Sequence, residues 1–125
     1  MSNLTHKEIA VAFLREASAG SVRAAYEAYV HPAFSHHNPY FKGDRASLMQ
    51  GMLDSAKQFP DKQFEPLRTM EEGALVAVHA RLRLKPDSPW MVLIHIFRFE
   101  GDLIIEEWEA SYQVPDDSPN ENGVL

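Results

Sequence analysis

The sequence of 125 residues contains no cysteine. This absence excludes disulfide bonds, a thiolate nucleophile and a sulfur-ligated metal, and it fits a reducing compartment. Positive charge is also scarce, since 12 Lys and Arg stand against 18 Asp and Glu, for a formal net charge of −6. Because the few cations are scattered, the chain has no basic face for a nucleic-acid backbone. We therefore expect no nucleic-acid partner.

Long apolar runs are missing as well. No segment approaches the roughly 20 apolar residues that span a bilayer. Lys7 and Glu8 interrupt the first residues, which lack the apolar centre of a signal peptide. We therefore expect a cytoplasmic protein with no membrane partner. The sequence also lacks glycine-rich phosphate loops, G-x-G-x-x-G and G-x-S-x-G motifs, so nothing supports a nucleotide cofactor or a serine nucleophile, and we expect no cofactor.

What is present is the composition of an ordinary folded domain. The hydrophobic fraction is 45% and the charged fraction 24%, both near the average for globular proteins. A chain of this length can bury a real core. We predict one domain over residues 1–125, in which the Pro-, Asp- and Asn-rich segment 114–125 is a surface or mobile tail.

The first half of the chain carries three helix signals. Thr5 and Glu8 have the spacing of a capping box, and Ser21 and Asp44 are two further N-cap residues. The predicted helices run from about residue 6 to Gly20, from Ser21 to before Pro32, and from Asp44 to about Lys57.

From Gln63 onward the apolar residues tend to alternate, as in strands. We predict strands near 63–70, 74–84, 91–99 and 103–112. Pro66 makes the first of them an edge strand or a broken one. Helices followed by a meander of antiparallel strands indicate an α+β fold, with the three N-terminal helices packed on one face of a bent sheet.

The segment EGDL at 100–103 suits a type II′ turn between the last two strands. A two-residue turn fixes the pairing register of the hairpin. In this register His95 lies opposite Trp108, and Phe97 lies opposite Glu106.

The predicted register gives the hairpin two faces. The first would pack against the helices and enclose a ligand pocket lined by aromatic residues. Its members are Met91, Leu93, His95, Phe97, Phe99, Ile104, Glu106, Trp108, Ala110 and Tyr112. The opposite face has an apolar centre and a charged edge, which favours a homodimer surface. Its members are Val92, Ile94, Ile96, Arg98, Ile105, Glu107, Glu109 and Ser111.

Three histidines are candidate acid/base residues. An imidazole such as His95 on an apolar strand face is either a general base beside a cavity or a hydrogen-bonded core residue. His36 and His37 would point in opposite directions in an extended segment, and we assign the pocket side to His37. His79 joins the pocket only if its strand turns it inward; otherwise it is a polar residue at an interface.

Several other residues are candidates for contact with a substrate. Trp108, Tyr112, Phe97 and Glu106 follow from the predicted face, and the hydroxyl of Tyr26 could donate to an oxyanion, although tyrosines at helical spacing are more often core residues. A metal site could in principle draw on His37, His79, His95 and Glu106. Because these residues lack the tight spacing of known metal motifs, we predict no metal.

Four stretches together resemble a known family: FSHHNP at 34–39, VAVHARLRL at 76–84, IHIFRFEGDLIIEEWE at 94–109 and NENG at 120–123. In this order they resemble the SnoaL-like branch of the nuclear-transport-factor-2-like superfamily. The resemblance implies a cone of three helices on a strongly curved, mainly antiparallel sheet. It also implies a pocket at the open end of the cone and dimerisation through the outer sheet face.

For function, the resemblance implies metal- and cofactor-independent proton transfer on a small, largely apolar substrate, as in polyketide cyclases. His37, His79 and Trp108 match the family pattern, and Glu109 stands where an aspartate is usual. His95 departs from the pattern, because the family commonly has an aspartate there. Two alternatives stay open, a non-catalytic binding module of the same fold and a metal-dependent lyase or hydrolase.

Overall fold

The computed structural model describes residues 4–125. Three helices and five strands follow one another along the chain. They are α1 (His6–Ser18), α2 (Val22–Tyr29), β1 (Val30–His36), α3 (Arg45–Gln58), β2 (Gln63–Glu72), β3 (Leu75–Arg83), β4 (Met91–Glu100) and β5 (Leu103–Gln113). This α+β arrangement confirms the predicted fold class.

The predicted starts of the helices are confirmed, and two of the three expected caps form. Thr5 and Glu8 make the reciprocal capping box, with the Thr5 Oγ1 accepting from the Glu8 amide at 3.2 Å. At the start of α3, the Asp44 carboxylate accepts from the Ser47 amide at 3.0 Å. Ser21 precedes α2 without a side-chain capping bond. The local helix signals in the sequence therefore place these elements correctly.

The strand β1 was not predicted. We predicted that the second helix would continue to just before Pro32, with no strand after it, yet Val30–His36 is extended and pairs with β5 in the parallel direction. Residues 30 to 36 are a poor strand signal because a proline and two histidines interrupt the apolar pattern. The parallel pairing makes the sheet mixed, with the strand order β1-β5-β4-β3-β2.

The other edge of the sheet follows the prediction. β2 is the edge strand, as its proline required, and the pairing of β2 with β3 shifts register between Pro66 and Arg68. A residue without an N–H is tolerated at such an irregular edge. The curved sheet and the helices together enclose the core, whose largest fully buried members include Ile9, Phe13, Val22, Tyr26, Val76, Val78, Phe97 and Ile104.

The register of the last hairpin was predicted correctly at the turn and wrongly beyond it. Gly101 has φ 60°, as the first central residue of a type II′ turn requires, and Phe99 pairs with Ile104. A β-bulge then leaves Ile105 without a partner, so that Arg98 pairs with Glu106. The extra residue reverses the faces of β5.

As a consequence, His95 lies opposite Glu109, and Phe97 lies opposite Glu107. The predicted pairs of His95 with Trp108 and of Phe97 with Glu106 are therefore wrong. Two carboxylates of β5 therefore point inward, where the predicted register had placed Trp108 and its neighbours.

Among residues 4–125, no helix is both long enough and apolar enough to cross a membrane.

Candidate functional site

A cavity of about 250 Å³ lies between the helices and the inner face of the sheet. Most of its wall is apolar and comes from α1, α3 and strands β2 to β4. The apolar wall includes Phe13, Leu14, Leu48, Met52, Leu82 and Leu93. Such a wall with a few polar groups is typical of a site for a small organic ligand.

Three ionisable side chains share one part of the cavity wall. His95 comes from β4, and Glu107 and Glu109 come from alternate positions of β5, which the bulge turns inward. The Nδ1–H of His95 donates to Oε1 of Glu107 at 2.9 Å. One ligand atom from each of the three residues lies within 4.8 Å of the others. Their charges therefore interact strongly in this weakly solvated place.

The two glutamates favour the protonated form of His95. Burial alone lowers the pKa of this imidazole, but the hydrogen bond to Glu107 and the charges of Glu107 and Glu109 outweigh burial, so the pKa is raised. His95 and Glu107 are 5% and 3% exposed. Within the described part of the chain, Nε2 of His95 and Oε2 of Glu107 are buried without a hydrogen-bond partner. These two residues therefore contribute little exposed surface to the cavity wall.

Glu109 is the more accessible of the two carboxyl groups. Burial raises its pKa, and the charge of Glu107 raises it further, while the charge of His95 and a hydrogen bond from Asn38 oppose the change. A carboxyl group whose pKa moves toward neutrality is a better proton acceptor when it is ionised. Glu109 therefore has the environment of an acid/base group.

The loop after β1 holds Glu109 in place. The Nδ2 of Asn38 donates to Oε1 of Glu109 at 3.1 Å, while its Oδ1 accepts from the Tyr40 amide at 2.9 Å. The amide of Asn38 donates to Nδ1 of His36 at 3.1 Å, and Nε2 of His36 donates to the Lys42 carbonyl oxygen at 2.6 Å. Every polar atom of the Asn38 side chain is thus used, which fixes the orientation of its amide.

The cavity also has a cationic residue. Lys62, in the connection between α3 and β2, lines the same cavity and donates from Nζ to the Ser55 hydroxyl at 2.5 Å. Burial lowers the pKa of this ammonium group. The cavity therefore carries carboxylates at one place and an ammonium group at another, with an apolar wall in between.

Of the three predicted acid/base histidines, only His95 lines this cavity. The structure reverses the expected order of the neighbouring pair, because His36 is buried and His37 is half exposed. His37 stacks on Trp108 with ring centroids 5.1 Å apart and donates to Glu106 at 2.8 Å. These three residues lie together on the outer face of the sheet, so their expected place in the pocket is wrong.

The remaining predicted residues also lie away from the cavity wall. His79 accepts from Arg68 at 2.9 Å on the side of β3 opposite the core. Tyr112 is 51% exposed. Tyr26 and Phe97 are fully buried and pack edge-on against Phe13 in the core.

Glu107 was not predicted as a site residue, and Glu109 was placed on the outer face. One signal was available in the sequence, because Glu109 stands where the family usually has an aspartate. However, the side chain of Glu109 points inward only if the hairpin contains a bulge. Neither Asn38 nor Lys62 was predicted as a site residue. Their roles depend on contacts between distant segments, which no local pattern encodes.

The inward cluster can hold either a proton or a cation. Imidazole and two carboxylates suit a divalent metal such as zinc, manganese or iron, and the unpartnered Oε2 of Glu107 offers an unused ligand atom. The predicted metal candidates His37, His79 and Glu106 are not part of this group. The same three groups can also share protons among themselves, because their ionisable atoms lie close together.

Comparison with known proteins gives a family and a fold. The model of the SnoaL-like domain matches residues 10–107. IdmH from Streptomyces antibioticus, a proposed polyketide cyclase, is 18% identical with a TM-score of 0.70, over 86% of this chain and 92% of that chain. A proposed polyketide cyclase from Acidithiobacillus ferrooxidans is 19% identical with a TM-score of 0.70, over 89% of this chain and 91% of that chain.

A cystatin-fold protein from Novosphingobium aromaticivorans is 16% identical with a TM-score of 0.72, over 86% of this chain and 99% of that chain. At such identities the likeness establishes the fold alone, which is the cystatin-like fold of nuclear-transport-factor-2-like proteins. None of the curated proteins compared with the chain matches it.

Proposed function

The chain belongs to the SnoaL-like domain family, and from this premise we propose that it catalyses proton transfer on a small, largely apolar carbonyl compound without a cofactor. The observation that carries the proposal is Glu109, a carboxyl group with a raised pKa on the wall of an apolar cavity. Relatives described as proposed polyketide cyclases support the same class of chemistry.

In the proposed reaction, the Glu109 carboxylate removes a proton from the carbon next to the substrate carbonyl, leaving an enolate. In a cyclisation, the enolate carbon attacks a second carbonyl of the same molecule and forms the C–C bond. The resulting alkoxide then takes the proton back from Glu109, so the carboxylate is regenerated. No redox partner is needed, because the product is an isomer of the substrate.

His95 and Glu107 act as positioning residues in this scheme. The His95 imidazolium is paired with Glu107 and places a positive charge beside Glu109. This charge limits the rise of the Glu109 pKa, which keeps the carboxylate available as a base. Asn38 fixes its direction through the hydrogen bond at 3.1 Å.

We further propose that the protein forms a homodimer through the outer face of the sheet. Met70, Ala77, Ile96 and Trp108 lie in register across four adjacent strands of that face. Ile96 is 38% exposed and Met70 is 60% exposed. A second copy of the chain related by a two-fold axis would cover this row.

The proposed reaction is tested by deuterium exchange. With 2-acetonaphthone in D₂O, we expect the protein to accelerate loss of the methyl proton NMR signal, and the variant Glu109→Gln to abolish at least about 99% of that acceleration. Glu106→Gln is the matched control, because Glu106 lies on the other face of the same strand and binds His37 and Arg98. Equal rates for wild type and Glu109→Gln would refute the assigned role.

The same assay separates the two other functions that the fold allows. A protein that binds the ketone without accelerating exchange is a binding module. A protein whose exchange stops with EDTA and returns with Zn²⁺ or Mn²⁺ uses the group of His95, Glu107 and Glu109 as a metal site. The proposed proton-transfer function requires exchange that EDTA leaves unchanged.

A further inference from the structure

The ammonium group of Lys62 has no anionic partner in the protein. Within residues 4–125 it takes part in no salt bridge, and its hydrogen bond goes to the neutral hydroxyl of Ser55 at 2.5 Å. The chain carries more acidic than basic residues, so partners of the opposite sign are plentiful. A half-buried cation on an apolar cavity wall is nevertheless left unpaired.

Such a cation costs free energy unless a ligand supplies the missing charge. Burial disfavours the ammonium form, as the lowered pKa of Lys62 shows, and an anion in the cavity would reverse this effect. Serine and lysine together offer hydroxyl and N–H donors that suit a carboxylate. The pair therefore has the chemistry of an anion subsite.

We propose that Lys62 and Ser55 bind a carboxylate group of the substrate. The substrate class is then a small, largely apolar keto acid, with its carboxylate at Lys62 and its enolisable carbonyl at Glu109. This inference rests on the proposed function, because it names the substrate of the same cavity.

Lys62 and Glu109 lie in separate parts of the cavity wall. Lys62 immediately precedes β2, and Glu109 lies on β5, which is three strands away in the sheet. They also lie at different heights along the strands, because Gln63 pairs with Arg83, whereas Glu109 pairs with His95, which pairs with Val78. Since both residues line one cavity, a ligand that contacts both must extend across it.

Charge also sets the direction in which such a substrate binds. Glu107 and Glu109 repel a carboxylate from their end of the cavity, whereas Lys62 attracts it. The apolar wall between them, which includes Leu82, Met91 and Leu93, accepts the rings. The two ends therefore select one orientation, with the carbonyl beside the proposed base.

The inference is tested by calorimetric binding of two probes with the same ring system, 2-naphthoate and neutral 2-acetonaphthone. We expect Lys62→Met to weaken binding of 2-naphthoate by roughly tenfold or more, the effect of losing a charged hydrogen bond, and to change binding of 2-acetonaphthone by less than about twofold. Lys62→Arg should retain most of the affinity for 2-naphthoate. Lys57→Met is the matched control, because Lys57 is exposed at the end of α3, and it should leave both affinities unchanged.

Two results would overturn the inference. One is an equal loss of affinity for both probes in Lys62→Met at unchanged thermal stability. In that case Lys62 would only form part of the cavity wall. The other is failure of the wild type to bind 2-naphthoate. Neither result depends on catalysis, so the inference can fail while deuterium exchange of 2-acetonaphthone succeeds. Conversely, loss of exchange with retained, Lys62-dependent binding of 2-naphthoate would refute the proposed reaction and leave the subsite in place.

Discussion

Glu109 occupies an environment that opposes its own ionisation. Its carboxyl group is removed from water, and Glu107 lies on the same face of the same strand. The hydrogen bond from Asn38 and the charge of His95 compensate only in part, because the pKa stays raised. Such a residue reduces the stability of the fold at neutral pH, which is a common cost of an acid/base group prepared for reaction.

This cost gives the stability of the protein a defined pH dependence. A raised pKa in the folded state means that folding binds a proton between the ordinary glutamate value of 4.5 and the folded value. Stability is therefore lost as the pH rises through that window. We expect Glu109→Gln, which keeps a side-chain oxygen for Asn38, to become progressively more stable than wild type as the pH rises above 4.5.

Denaturant unfolding at a series of pH values measures this difference. Glu106→Gln is a control with the opposite sign, because hydrogen bonds from His37 and Arg98 lower the pKa of Glu106. The stability that its carboxylate contributes grows as the pH rises to 4.5 and is fully present above that value, so Glu106→Gln should lose stability relative to wild type up to about pH 4.5 and keep that deficit at higher pH. If Glu109→Gln also lost stability relative to wild type with rising pH, the environment assigned to Glu109 would be contradicted.

A single residue explains why part of this site could not be predicted. The turn at Gly101 and the alternation along β4 are local, and both were read correctly from the sequence. The bulge at Ile105 depends on how β5 packs between β4 and β1, so no local pattern indicates it. Because side chains alternate between the two faces of a strand, the extra residue Ile105 turns Glu107 and Glu109 toward the cavity, where the prediction had placed Trp108.

At the scale of elements, α3 and the loop before it form one wall of the cavity. Phe41 in that loop packs directly on Gly51 of α3, so closely that a Cβ atom at Gly51 would overlap the phenyl ring. Both residues line the cavity. The glycine thus allows an aromatic side chain to pack against the helix and to form part of the cavity wall.

Gly51→Ala should therefore move Phe41 without unfolding the helix. Alanine favours a helix over glycine by about 0.5–1 kcal/mol, which offsets part of the packing loss, so we expect the free energy of unfolding to stay within about 1 kcal/mol of wild type. Because the ring is 41% exposed, it can turn outward, and binding of 2-acetonaphthone should weaken by about three- to tenfold.

A double-mutant cycle with Phe41→Ala checks this contact. Once the ring is absent, Gly51→Ala should have little further effect on the affinity for 2-acetonaphthone, so the two changes are strongly non-additive. Additive losses would mean that Gly51 affects the cavity by some route other than Phe41.

At the scale of the whole molecule, the two faces of the sheet have different tasks. The inner face packs against the helices and holds the ionisable group of the cavity, and the outer face carries an apolar row bordered by charged pairs such as Arg98 with Glu106. The order of helices and strands made this α+β plan predictable. The mixed pairing was not predictable, since β1 is a weak strand signal and its partner β5 is the last strand of the chain.

The outer face leads to a prediction about assembly. Ile96 lies in the middle of the apolar row, between Ala77 and Trp108. In a two-fold symmetric dimer a charged side chain at this position would be buried without a partner, close to the same charge on the second copy of the chain. We expect wild type to sediment at twice the chain mass and Ile96→Lys to sediment as a monomer with an unchanged far-ultraviolet circular dichroism spectrum. Ala24→Lys is the matched control, because Ala24 is exposed on α2, on the helical side of the sheet, and it should stay dimeric. A dimer that survives Ile96→Lys would place the interface elsewhere, and a monomeric wild type would refute the proposed dimer.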